Sequence, residues 1–212
     1  MTIADRTLAT SADYADALLV ARRAKKLLFL LILLMLLAQI ALFFTARYSD
    51  FIVLRPAGEE GMATTKPASR EVLHYFSGIV LFLGTILPIL LSLVLLLIVH
   101  IMLVGRLIGV ARVTGAFLAC LLLVLLMFPW QIFFGMSASP TDFRVPGVLF
   151  TWHDLVSNAK FHGDMNVNVV KWARFFVMPL VAAVLLLMVQ IKSNRGLRQA
   201  LGEETPDVTT PA

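Results

Sequence analysis

The sequence predicts an all-α, polytopic membrane protein. Four transmembrane helices form an antiparallel bundle with both termini cytoplasmic, and two outer segments are able to cap it. Three observations carry this expectation. Of 212 residues, 59% are hydrophobic and 15% charged, with a mean hydropathy of +0.88, which is membrane rather than soluble composition. Four apolar runs each approach the roughly 20 residues needed to cross about 30 Å of hydrocarbon. The basic residues gather beside those runs, where they orient helices.

Residues 1–26 read as a cytoplasmic segment, partly helical. Thr10 and Asp13 offer a capping box near Ser11, and a helix continues through Arg22, Arg23, Lys25 and Lys26 into the membrane. The first span, 27–46, has Gln39 as its one strongly polar interior residue, and the long segment before it suits a retained signal anchor better than a cleaved signal. The outer loop 47–77 balances Arg47, Arg55, Lys66 and Arg70 against Asp50, Glu59, Glu60 and Glu71, leaving little material for a core. The second span, 78–104, is uncharged and contains Pro88, which predicts a kink with Thr85 near the freed carbonyl.

The inner loop 105–115 carries Arg106 and Arg112, and Gly105 and Gly109 at a spacing that permits close helix approach. The third span, 116–134, ends among Phe128, Pro129, Trp130 and Gln131. A long outer segment, 135–171, holds an expected interfacial helix around Trp152 to Ala159. The fourth span, 172–191, is short in uncharged residues, so Lys171, Arg174 and Lys192 are expected to snorkel. The tail 192–212 is cytoplasmic, with a disordered end. Ten of the 18 bases fall on the inner side, crowded next to spans, as the positive-inside rule requires in a bacterial cytoplasmic membrane.

The net charge of +5 therefore points to headgroups rather than nucleic acid. Cys120 stands alone in an apolar run and has no disulfide partner in the sequence. A bis-histidine haem needs two converging imidazoles, yet His74 and His100 lie 26 residues apart, about 39 Å of helix. No cofactor is expected. Nucleophile-elbow, zinc-protease, phosphate-loop and dinucleotide motifs are absent.

The polar residues within or beside the spans, His100, Gln39, Gln131 and Gln190, are expected to face the bundle interior. The first three are the candidates for a bound lipid or quinone. His153, Asp154, His162 and Asp164 are the metal candidates, although one straight helix would face the two imidazoles apart. Aromatic residues are lopsided: only Tyr14, Phe29 and Phe117 belong to the inner side, whereas membrane proteins carry belts at both interfaces. Trp130, Phe133, Phe134, Phe150, Trp152 and Trp172 are thus candidates for a surface that meets lipid or a partner.

Two function classes follow from the sequence, with a third behind them. The first is a non-enzymatic accessory or assembly protein that docks a protein partner, or a second copy, through its outer aromatic face. Another is a small carrier or lipid- or quinone-binding protein using the bundle interior. The third is a membrane enzyme with its site in 135–171.

Overall fold

A computed structural model describes residues 11–48, 68–130, 148–151, 155, 169 and 171–203. All regular structure among these is helical: α1 (Ser11–Tyr48), α2 (Ala68–Val104), α3 (Val110–Met127), a π-helical turn (Ala173–Val177) and α4 (Met178–Ala200). Four helical stretches, Asp13–Thr45, Glu71–Val104, Val110–Met127 and Ala173–Ala200, are long and apolar enough to cross a membrane.

Helix α1 has Asp13 in its first turn and Arg47 in its last, matching both ends of the helix dipole. Its buried face recurs at steps of three, four or seven residues through Leu18, Ala21, Lys25, Ile32, Leu36, Gln39 and Phe43, the period of one helix face. Helix α2 contains Pro88, which has no N–H for the Gly84 carbonyl. The Thr85 hydroxyl does not go to that carbonyl; it donates to Leu81 O at 2.9 Å, the ordinary back-bond of threonine to the preceding turn.

Both ends with a positive φ close in the same way. After α2, Leu107 N donates to Met102 O and Arg106 N to Leu103 O, with Arg106 at φ 49°. After α4, Glu203 N donates to Arg198 O and Gly202 N to Gln199 O, with Gly202 at φ 71°. This is the Schellman pairing, in which a left-handed residue satisfies the last carbonyls. Glycine fills that position once and arginine once.

Helix α3 ends where Pro129 removes the N–H that Leu125 O would accept. The Trp130 indole N–H takes its place at 2.8 Å, and Val148 N reaches Leu126 O at 3.4 Å. Pro179 has a related effect near the start of α4. It offers no N–H to the Phe175 carbonyl and its ring crowds that group, and the wider turn Ala173–Val177 lies there, with Met178 N donating to Ala173 O.

The chain divides into two compact units. Unit 1 comprises 1–31, 87–124 and 184–212; unit 2 comprises 32–86 and 125–183. In unit 1, the turn before α3 meets α4 backbone to backbone. A Cβ on Gly109 would lie 2.8 Å from Gly196 O, and one on Gly196 would lie 2.6 Å from a Val113 methyl. The close approach expected of Gly109 is thus made to α4, from a turn with φ 94° rather than from a helix face. In unit 2, a Cβ on Gly84 would meet Leu149 at 2.9 Å, so glycine admits the Val148–Phe150 segment against α2.

Candidate functional site

Unit 2 holds an aromatic core. Leu42, Phe43, Phe150, Leu155 and Phe175 are buried together, with Leu73 and Trp172 packed on them. The Phe43 and Phe175 rings are parallel, 5.4 Å apart and inclined by 4°. Phe150 meets Phe175 edge-on at 5.0 Å, and Trp172 meets Phe43 edge-on at 5.6 Å, both favoured quadrupole geometries. The Arg47 guanidinium lies 5.1 Å from the Trp172 ring, within cation–π range.

Phe150, a candidate surface residue by sequence, is therefore interior at 1% exposure. Leu155 N donates to Thr151 O at 3.0 Å, a helical bond, and Leu155 is buried in the same core. Trp172 is half-buried, as is Trp130. Gln131, Phe133, Phe134, Trp152, His153, Asp154, His162 and Asp164 lie outside the described residues. Among the described residues no group of three or more His, Cys, Asp or Glu gathers to hold a metal.

The remaining polar candidates part company. Gln39 is fully buried in unit 2, and neither its Oε1 nor its Nε2 has a hydrogen-bond partner. His100 belongs to unit 1 and is exposed, its Nδ1–H donating to Leu96 O at 3.1 Å. The structure thus does not turn His100 inward. Four residues from the end of α2, its ring is served by its own backbone and needs no interhelical partner.

Unit 1 contains a polar cluster that sequence reasoning missed. Lys25 has 0% exposure, and its Nζ donates to Ser193 Oγ at 2.8 Å and Asn194 Oδ1 at 2.6 Å. Ser193 passes its own proton to Gln190 O at 3.2 Å, leaving its oxygen lone pairs to accept from the ammonium. Nearby on the same face of α1, Arg22 pairs with Glu203 at 3.0 Å, just past the Schellman turn of α4. The cluster fastens α1 to α4. Its signal was in the sequence as phase, because Lys25 falls on the apolar stripe of Leu18, Ala21 and Ile32, whereas Arg23 and Lys26 do not.

Chemically, among the described residues unit 2 offers π-faces and an unpaired neutral amide, and unit 1 a buried amine held by neutral oxygens. Compared with protein-family models, curated proteins and solved structures, the chain matches none, so function is argued from these residues.

Proposed function

We propose that the chain is a multi-pass membrane protein of accessory or assembly type. In this reading it docks an apolar membrane helix of another protein on α2, without chemistry of its own. Both termini lie on the cytoplasmic side of a bacterial cytoplasmic membrane, where the flanking bases favour them.

The observation that carries this reading is a notch on α2. Tyr75, Gly78, Ile79 and Phe82 share one helix face at spacings of three and four. All four are exposed, Tyr75 at 70%, and nothing stands within 4 Å of where a Gly78 side chain would be. Lipid tails need no small residue to pack against a helix, whereas helix–helix contacts in membranes favour small residues that let backbones approach. Tyr75 and Phe82 flank the notch as aromatic anchors of the kind that dominate interfaces. Phe150 is buried in the interior, and among the described outer aromatics the reading rests on this stripe of α2.

Native mass spectrometry after gentle extraction tests it. A stoichiometric second protein is expected on the wild type and lost from Gly78→Leu, which fills the notch without touching the interior. A bare chain in both samples, or a partner kept by Gly78→Leu, would overturn it.

A further inference from the structure

Burying both ends of an amide without a partner costs about 1–3 kcal/mol per group, and hydrocarbon supplies no water to offset it. Gln39 carries that cost at 0% exposure, and two features of unit 2 follow from it, one along α1 and one across a ring contact. One turn further along the same face of α1 stand Leu42 and Phe43, members of the aromatic core, with Phe43 stacked on Phe175. Phe175 itself sits in the π-helical turn Ala173–Val177, a distortion that recurs at functional sites. Apolar and aromatic walls with very few polar groups are the composition of a small-molecule site. An uncharged amide there suits an uncharged ligand, and its Nε2 is a donor in want of an acceptor.

We propose that Gln39 and the Phe43–Phe175 pair form a binding subsite for a neutral, membrane-soluble molecule bearing a carbonyl on an apolar body. The carbonyl accepts from Gln39 Nε2, and the body lies against the aromatic rings. Such a carbonyl has two sources, a quinone-type ring or the ester of a diacyl lipid. The inference does not rest on the α2 docking face, and neither depends on the other's test.

The experiment uses the full chain with Trp130 and Trp152 changed to Phe, so that Trp172, packed on Phe43, is the sole indole. The protein is placed in nanodiscs of diether phosphatidylcholine, which lacks ester carbonyls, and titrated with a decyl-substituted benzoquinone. Saturable quenching of Trp172 is expected, with the midpoint raised at least tenfold in Gln39→Leu. That variant is expected to keep its thermal stability, because leucine removes an unpaired amide rather than breaking a bond. Diester phosphatidylcholine is then added: displacement of the probe identifies a lipid ester as the occupant, and its failure to displace identifies a ring carbonyl. Unsaturable quenching, equal quenching in Gln39→Leu, or marked destabilisation by Gln39→Leu would overturn the proposal, the last by revealing a structural partner for the amide.

Discussion

Lys25 stands at the point where a charge that should flank a membrane is instead enclosed. Its two acceptors are neutral, so their value lies in giving a buried amine the hydrogen bonds that water would otherwise supply. Removing an acceptor leaves a buried amine N–H group without a partner, whereas removing the amine leaves only the ordinary Ser193 and Asn194 groups. Ser193→Ala and Asn194→Leu should each cost about 1–3 kcal/mol in reversible unfolding by dodecyl sulfate in mixed micelles. Lys25→Met should cost less than Asn194→Leu, and adding Lys25→Met to Asn194→Leu should restore stability. Arg106 makes the converse point. A non-glycine residue in the left-handed region carries a strain of about 1–2 kcal/mol, so Arg106→Gly should raise stability by about 1 kcal/mol in the same assay, at a position already turned for glycine.

Proline withholds a donor at the end of α3 and near the start of α4, and neighbouring groups then decide the local structure. At the end of α3 the Trp130 indole replaces the missing Pro129 N–H. Trp130→Phe keeps the ring and loses that bond, and should cost about 0.5–1.5 kcal/mol. The Val148–Phe150 segment depends on Gly84 in a similar way. Gly84→Val would drive side-chain atoms into Leu149 and should expel the segment, so a cysteine placed at Thr151 should label with a membrane-impermeant maleimide several-fold faster than in the parent.

The four helices were legible in the sequence because a chain in hydrocarbon must satisfy its backbone internally, and an apolar run of that length has no other solution. Their ends were less so. Helix α2 starts at Ala68, slightly ahead of the Glu71–Phe76 stretch from which the sequence leads the helix into the second span, since helix formation does not stop at the hydrocarbon edge. Helix α3 stops at Met127 because proline, not hydropathy, ends it. Facing was harder than depth: charge hid the interior phase of Lys25, and the expected inward turn of His100 ignored the backbone carbonyl one turn away.

At the scale of the whole molecule, each unit uses its polar groups differently. Unit 1 pairs Lys25 with α4 and Arg22 with Glu203 just beyond it, while unit 2 leaves Gln39 unpaired, one turn of α1 before Phe43 of the aromatic core. Outward, the helices present long apolar side chains, among them Leu30, Leu34, Leu93, Leu97, Leu122 and Val184, which is how a chain dissolved in lipid must look. On that exterior Gly78 stands open between Tyr75 and Phe82, and the proposed docking reading rests on the aromatic pair that flanks it, since Gly115 on α3 is open without such a pair. Among the described residues, the aromatics that the sequence assigns to the outer side include both an interior core and exposed side chains on α2, a division that composition alone does not encode.

The most direct measurement is photo-crosslinking in the native membrane, with a photoreactive phenylalanine at Phe82 and, as control, at Leu122, exposed on α3. The docking account predicts one discrete protein adduct from Phe82, abolished by Gly78→Leu, and only lipid adducts from Leu122. Lipid adducts alone at both positions would contradict it.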